Sequence, residues 1–272
     1  MDRIRHTFER LRRADRRAVI PFLMGGDPDL ETTERLLLTV AQAGADLIEV
    51  GIPFSDPLAD GPIIQRASSR SLAQGTTPHA VLALIQRVAR RVSSPLILLS
   101  YWNPILQFGR SRGRDPAPFV REAARCGASG MIVPDLPPEE AGAFRRAASQ
   151  AGISAIFLVS PTSPAERLRQ IARASEGFIY YVSLTGTTGV RDRLAAGWFH
   201  TIRQLKLLTT KPICVGFGIS TPAQAASVAR VADGVIVGSA LIQALEPHLH
   251  SRRTLLRVAH RFIQRLRKAV SP

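Results

Sequence analysis

The segment Gly44–Pro62, which reads GADLIEVGIPFSDPLADGP, has one carboxylate within an apolar run, Glu49, and two more in the loop beyond it, Asp56 and Asp60. Glu49 alternates with Ile48 and Val50 in an apolar run, a pattern typical of a strand residue that faces the mouth of a barrel. Among apolar neighbours the charged form of a carboxyl group is disfavoured, so its pKa rises toward neutrality and it can both donate and accept a proton. We therefore predict that Glu49 is a general acid–base residue.

Asp60 lies beyond this run, in the turn Asp60-Gly61-Pro62. A turn position is better solvated than a strand, so we predict that Asp60 is ionised and can stabilise a positive charge or accept a proton from an N–H group. Asp-Pro and Asp-Gly are also common turn dipeptides. On spacing alone, a structural role is as well supported for Asp60 as a catalytic one, and Asp56 is more typical of a turn residue.

Three glycine-containing segments in the second half of the sequence indicate a phosphate site: Thr185–Gly189, Gly216–Ser220 and Gly238–Ser239. Each follows an apolar run with the composition of a β-strand. Glycine lets backbone N–H groups approach an anion, and a helix beginning at Ser239 would add the positive end of its dipole. One such segment is ordinary turn geometry, but three in successive units favour a phosphate.

The elements that position these residues are predicted from eight short runs that are nearly continuously apolar. Strands covered on both faces of a parallel sheet have this composition. The runs alternate with segments of helical periodicity, which indicates successive strand and helix units. The predicted strands are Val19–Met24, Leu47–Val50, Leu96–Tyr101, Gly130–Val133, Ala155–Val159, Phe178–Val182, Pro212–Val215 and Gly234–Val237.

The fold class that follows is α/β, a (β/α)8 TIM barrel formed by residues 1–272 as a single domain, since a barrel typically takes about 250 residues. In this fold the C-terminal ends of the strands carry the catalytic groups. The alternative is an open doubly wound sheet, but the segment after the first strand, Gly25-Gly26-Asp27-Pro28, lacks the GxGxxG pattern of a dinucleotide site. The predicted helices are Glu31–Ala43, Ala80–Val92, Ala117–Cys126, Glu139–Ala151, Ala165–Ala174 and Thr221–Ala229.

Composition argues against several classes of protein. No apolar run approaches the roughly 18 residues that cross a bilayer, and the N-terminal segment lacks the apolar stretch of a secretory signal. We therefore expect a cytoplasmic protein without a membrane partner. The six His form no HExxH pattern, and Cys126 and Cys214 are too far apart for a typical metal or disulfide framework, so we expect buried thiols and no metal.

The net charge of +15 is concentrated at the two ends of the chain. Residues 1–17 contain seven Arg, and residues 251–272 contain seven Arg and Lys without an acid. The second segment has the periodicity of an amphipathic helix, and its basic side is interpreted as a solvated face. Contact with nucleic acid or an acidic membrane is the alternative, although no nucleic-acid motif accompanies the charge.

The motifs above are those of a known family: the sequence resembles the tryptophan synthase alpha chain over nearly its whole length. The resemblance rests on Pro21-Phe22 and Gly26-Asp27-Pro28, on the run from Glu49 to Pro62, and on the glycine segments at Gly216 and Gly238. It implies retro-aldol cleavage of indole-3-glycerol phosphate to indole and glyceraldehyde 3-phosphate, with no cofactor in this subunit.

The resemblance also implies roles for individual residues. Glu49 matches the residue that protonates indole C3 and helps to remove the hydroxyl proton, and Asp60 matches the one that holds the indole N–H and stabilises the indolenine cation. For the flanking apolar residues and for Tyr180, core packing is the alternative. The implied substrate-binding residues are Phe22, Ile64, Leu99 and Tyr180 near the ring, and Thr188, Gly189, Gly216, Gly218, Gly238 and Ser239 near the phosphate or the closing loop.

A partner follows from the same resemblance, which implies an alpha2beta2 tetramer with a beta chain that carries pyridoxal phosphate and receives the indole. Ordinary surface loops are the alternative for the residues at partner-facing positions. In the closing loop, Leu184 and Thr187 replace the Arg and Val that are common in the family. A barrel with weak turnover that mainly activates the beta chain is therefore the second functional hypothesis. The partner-facing residues are Asp56, Pro57, Asn103 and Pro137.

Overall fold

Nine short strands form the sheet of the computed structural model, which describes residues 2–109, 115–182, 198–216 and 218–271. They lie close to the predicted runs, with boundaries that differ by at most two residues. The strands are β1 Ala18–Met24, β2 Ile48–Gly51, β3 Leu96–Leu99, β4 Ala128–Ile132, β5 Ser154–Ile156, β6 Leu158–Val159, β7 Ile179–Val182, β8 Ile213–Gly216 and β9 Gly234–Val237.

The strands pair in parallel in the order β5-β4-β3-β2-β1-β9-β8-β7-β6. The two outermost members of this order, β5 and β6, are consecutive in the chain and are separated only by Phe157. They are two halves of one barrel strand, so the sheet curls round on itself with eight strand positions. The predicted TIM-barrel class is confirmed.

The interruption at Phe157 divides the fifth predicted strand, Ala155–Val159, into β5 and β6. The Phe157 N–H donates to the Ser175 hydroxyl at 3.2 Å instead of to a neighbouring strand. On one side of this point β5 pairs with β4, and on the other side β6 pairs with β7. The change of partner accounts for nine strands where the sequence predicts eight.

The described helices surround the barrel. All six predicted helices are present, with ends that differ by up to three residues. The N-terminal helix, the helix after Asp60, the helix before β8 and the two shorter helices after β3 and β9 were not delimited from the sequence. The helices are α1 Arg3–Arg13, α2 Leu30–Gln42, α3 Pro62–Ala73, α4 Pro78–Ala89, α5 Trp102–Leu106, α6 Ala117–Arg125, α7 Gly142–Ala151, α8 Ala165–Ala174, α9 Trp198–Leu208, α10 Pro222–Ala229, α11 Ser239–Leu245 and α12 Arg252–Val270.

Helix α1 covers the N-terminal end of the barrel. It begins at the N-cap Asp2, whose side chain accepts a hydrogen bond from the Arg5 N–H at 3.0 Å. Its buried face, with Ile4, Phe8 and Leu11, packs against inward-facing residues of the strands. Among the described residues, the opposite end of the barrel contains a cavity that could hold a site.

Helix α12 is the amphipathic helix predicted at the C-terminus. Its apolar stripe, including Leu255, Ala259 and Ile263, packs into the main core, and its arginines other than Arg267 lie on the outside. Cys126 and Cys214 are buried free thiols, as predicted. Among the described residues, no helix has the length and apolar character needed to cross a membrane.

Candidate active site

A cavity of about 590 Å³ opens at the C-terminal ends of the strands, a size typical of small-molecule sites. Its lining includes every described residue that the sequence analysis placed in the active site. Thr188 and Gly189 lie outside the described residues, as do Leu184 and Thr187. The predicted residues that line the cavity are Phe22, Glu49, Asp60, Ile64, Leu99, Tyr180, Gly216, Gly218, Gly238 and Ser239.

Glu49 is held at the floor of this cavity by the central part of the sheet. Strand β2 pairs with β1 and β3, which places Phe22 and Ile97 on either side of Glu49. The Glu49 side chain is completely buried, and neither carboxyl oxygen has a hydrogen-bond partner among the described residues. Burial raises the pKa of Glu49 to about 8. A neutral, unpartnered carboxyl group in a cavity is poised to give up a proton.

Asp60 lies at the rim of the cavity, in the loop between β2 and α3. Asp60 is less buried than Glu49, as predicted. It is only partly exposed, however, so it is not the well-solvated turn residue that the sequence predicts. Burial raises the pKa of Asp60 to about 6, and a hydrogen bond from the Tyr101 hydroxyl acts in the opposite direction. Asp60 therefore stays mostly ionised at neutral pH, while Glu49 stays mostly protonated.

Tyr101 anchors the loop that carries Asp60. Its hydroxyl oxygen accepts a hydrogen bond from the Ala59 N–H at 2.9 Å, and its ring contacts Phe54. The hydroxyl proton remains available to Asp60. The sequence analysis did not single out Tyr101, although its position directly after β3 was a usable signal, because strand ends in a barrel supply site residues.

Tyr180 extends into the cavity from β7, and its position depends on Gly216 in the adjacent strand. A Cβ atom at Gly216 would lie only 2.5 Å from Tyr180 Cε1. Burial, followed by the Glu49 and Asp60 carboxylates, raises the pKa of the Tyr180 phenol well above its usual value, so it remains a neutral hydroxyl. Gly216 thus has a packing reason to be glycine, in addition to its predicted place beside the substrate.

The predicted phosphate end is formed by Gly218 and the start of α11. Among the described residues, no atom lies within 4 Å of where a Cβ atom on Gly218 would be, so this glycine borders open space. The first backbone hydrogen bond of α11 runs from the Ile242 N–H to the Gly238 oxygen at 3.0 Å. The N–H groups of Ser239 and Ala240 therefore have no acceptor inside the helix, and both residues line the cavity.

Comparison with known proteins decides the family. The family model for the tryptophan synthase alpha chain matches residues 8–271. The alpha chain of Geotalea daltonii is 50% identical over 246 residues, covering 90% of this chain and 91% of that one. The alpha chain of Gloeobacter violaceus is 52% identical over 244 residues, covering 89% and 86%. The chain belongs to the tryptophan synthase alpha chain family.

Solved structures agree with this assignment. The alpha subunit of Legionella pneumophila superposes with a TM-score of 0.89 at 38% identity, covering 99% of this chain and 98% of that one. A chain of Mycobacterium tuberculosis tryptophan synthase superposes with a TM-score of 0.90 at 34% identity, covering 100% and 99%. Membership in the tryptophan synthase alpha chain family makes this chain a lyase of tryptophan biosynthesis and implies a beta chain as its partner.

One wall of the cavity was not predicted from the sequence, because it contains neither the glycine segments nor the residues of the family resemblance. Ser160, Thr162 and Ser163 follow β6, and Arg167 lies in the first turn of α8. The Arg167 guanidinium pairs with Glu139, so it is held at the rim. The run Ser-Pro-Thr-Ser-Pro directly after a predicted strand was the signal for this wall.

The residues at predicted partner-facing positions lie on one part of the rim. Asp56 and Pro57 follow β2, Asn103 lies in α5 after β3, and Pro137 follows β4. These three strands are neighbours in the sheet, so the loops lie side by side. Leu58, next to Pro57, is 93% exposed. An exposed leucine in this loop was not predicted from the sequence.

Proposed function

We propose that the cavity binds indole-3-glycerol phosphate in a single orientation. The indole ring packs between the apolar side chains of Phe22, Ile64 and Leu99, and the phosphate lies at Gly218 and the N–H groups that begin α11. The cavity thus has two regions, one lined by apolar side chains and one bordered by exposed backbone N–H donors, and the distance from the barrel floor to the rim separates them. Thr188 and Gly189 are assigned to the phosphate end and the closing loop by the family resemblance alone.

Glu49 supplies the proton that starts the cleavage. Its neutral carboxyl group protonates indole C3, which turns the ring into an indolenine cation. The bond from C3 to the side-chain carbon then breaks, and its electron pair returns to the ring. The hydroxyl group on the departing carbon loses its proton to the Glu49 carboxylate and becomes the aldehyde of glyceraldehyde 3-phosphate. Glu49 thus regains from the hydroxyl group the proton that it gave to C3, so one carboxyl group serves both transfers.

Asp60 acts as the ionised member of the pair. Its carboxylate accepts the indole N–H hydrogen bond and stabilises the positive charge that forms when C3 is protonated. The difference between the two pKa values supports this division of roles, because about 8 for Glu49 and about 6 for Asp60 leave one neutral and one charged near pH 7. The reaction combines two proton transfers with the cleavage of one C–C bond and needs no cofactor in this chain.

The proposed assembly is an alpha2beta2 tetramer in the cytoplasm. The rim formed by the loops with Asp56, Pro57, Asn103 and Pro137 is the surface that contacts the beta chain, where pyridoxal phosphate is expected. The exposed Leu58 supports this placement, because an apolar side chain at the edge of a cavity gains from being covered by a partner.

The observation that carries the proposal is the buried Glu49 carboxyl group, which has no hydrogen-bond partner within the described part of the chain. The test is cleavage of indole-3-glycerol phosphate by the purified chain, alone and with a beta chain, compared with Glu49→Gln. We expect turnover by the parent, faster with the beta chain, and loss of turnover in the variant. Full activity of Glu49→Gln contradicts the proposed mechanism. Stimulation of the beta chain without any cleavage by the parent supports the weak-turnover alternative.

A further inference from the structure

Arg70, in the last turn of α3, contacts acidic side chains on two other elements. Its Nε and Nη2 donate to the two carboxylate oxygens of Asp27, both at 2.8 Å. Its Nη1 donates to Glu246 Oε1 at 2.9 Å. The Asp27 side chain is only 5% exposed, so water does little to weaken this pair. A planar guanidinium can hold two carboxylates in one fixed arrangement, which a lysine cannot do.

The three elements that meet at Arg70 all lead to the active-site cavity. Asp27 lies in the loop after β1, the strand that carries Phe22. Helix α3 begins directly after Asp60 and reaches Arg70 about 12 Å farther along its axis. Helix α11 begins at the proposed phosphate end and is followed directly by Glu246. Arg70 therefore joins, at their far ends, the two helices whose near ends border the two halves of the cavity.

Arg66, one turn earlier on α3, provides a contrast within the same helix. It also pairs with Glu246, through Nε and Nη2 at 2.9 Å, but its side chain is about half exposed. Among the described residues it has no second acidic partner, and it does not reach Asp27. Arg66 thus also links α3 to Glu246, but this pair is half exposed and screened by water, so it contributes little, and Arg66 does not hold the loop after β1.

We propose that Arg70 is a positioning residue that sets the distance between the Asp60 end and the phosphate end of the cavity. This inference rests on the proposed function, in which the indole contacts Asp60 and the phosphate contacts the start of α11. A ligand that contacts both ends depends on their separation. A ligand that contacts only the phosphate end does not.

The test compares these two kinds of ligand in Arg70→Lys and in the matched control Arg66→Lys. For Arg70→Lys we expect the KM for indole-3-glycerol phosphate to rise about tenfold, since small misplacements of a bound substrate have large kinetic effects. The inhibition constant of inorganic phosphate, a competitor for one end only, should change by less than about twofold. Arg66→Lys should leave both constants unchanged.

A purely structural role for Arg70 would lower kcat through loss of folded protein and would leave the KM unchanged. That result, or a parallel rise of both constants, overturns the inference. If Arg70→Lys does not fold, Glu246→Gln removes the charge with which both Arg70 and the half-exposed Arg66 pair, and it keeps the Arg70 pair with Asp27. An unchanged KM in Glu246→Gln then contradicts the inference. If the unsubstituted chain cleaves no substrate, the proposed function itself is wrong. The role of Arg70 in setting the distance between the two ends of the cavity is then wrong as well.

Discussion

The Tyr101 hydroxyl links the end of β3 to the loop that carries Asp60, accepting a hydrogen bond from the Ala59 N–H and donating one to the Asp60 carboxylate. This contact holds the loop in place and opposes the effect of burial on the pKa of Asp60. Removing the hydroxyl should therefore affect both the position and the charge of the carboxylate that faces the indole N–H.

For Tyr101→Phe we predict a fall in kcat/KM of about tenfold, because a hydrogen bond to a charged group contributes about 1.5–3 kcal/mol. The pKa on the acid side of the activity profile should also move to higher pH, since the Asp60 carboxylate loses a donor. Steady-state kinetics across the pH range measures both effects. An unchanged acid-side pKa would show that Tyr101 does not act on Asp60.

The pH dependence of the parent follows from the two carboxyl groups. The reaction needs a protonated Glu49, with a pKa of about 8, and an ionised Asp60, with a pKa of about 6. We predict a bell-shaped profile of kcat/KM that falls below about pH 6 as Asp60 is protonated, and falls above about pH 8 as Glu49 ionises. Asp60→Asn should lose the acid limb and retain the alkaline one, whereas a profile that keeps both limbs would refute the assignment.

Two glycine substitutions distinguish a glycine needed for packing from a glycine needed for substrate binding. Gly216→Ala should lower both the thermal midpoint and kcat/KM, because its Cβ atom would clash with the Tyr180 ring. Gly218→Ala is the matched control: its Cβ atom enters open space among the described residues, so stability should be unchanged while the KM rises. Thermal unfolding and steady-state kinetics distinguish the two. Equal losses of stability would contradict this account.

Asp46 and Arg267 form a buried pair at the N-terminal end of the barrel, with Arg267 Nη1 2.6 Å from Asp46 Oδ2. Asp46 also accepts from the Val19 N–H at 3.0 Å. We predict that Arg267→Met lowers the free energy of unfolding by about 2 kcal/mol, because the buried Asp46 carboxylate loses its nearest cation and keeps only the more distant Arg10 and Arg16, at 3.8 Å and 3.9 Å. Urea denaturation measures this loss, with the exposed neighbour substitution Arg265→Met as the control. A loss no larger than that of the control would show the pair to be dispensable.

Most of the barrel could be predicted because parallel strands covered on both faces are continuously apolar, a local property of the sequence. Glu49 was predictable for the same reason, since a lone carboxylate stands out in such a run. Contacts between distant segments could not be predicted: Tyr101 is 42 residues from Ala59, and Arg70 is 43 residues from Asp27. No local pattern specifies either contact.

Helix α1 was missed for a different reason. Ile4, Phe8 and Leu11 recur at intervals of four and three residues, which is a helical pattern. The arginines around them were interpreted only as a source of positive charge. The dependence of Gly216 on the Tyr180 ring also required the structure, because a glycine at the end of a strand is compatible with turn geometry, with close packing or with a ligand. The sequence alone does not distinguish these three reasons.

The protonation state of Glu49 tests the central claim most directly. We would measure it in the free chain by infrared difference spectroscopy, comparing the parent with Glu49→Gln while the pH is raised. A protonated carboxyl band that belongs to Glu49 should be present at neutral pH and disappear with a midpoint near pH 8. A Glu49 that is already ionised at pH 6 would contradict the account, because no buried proton would then be available for indole C3.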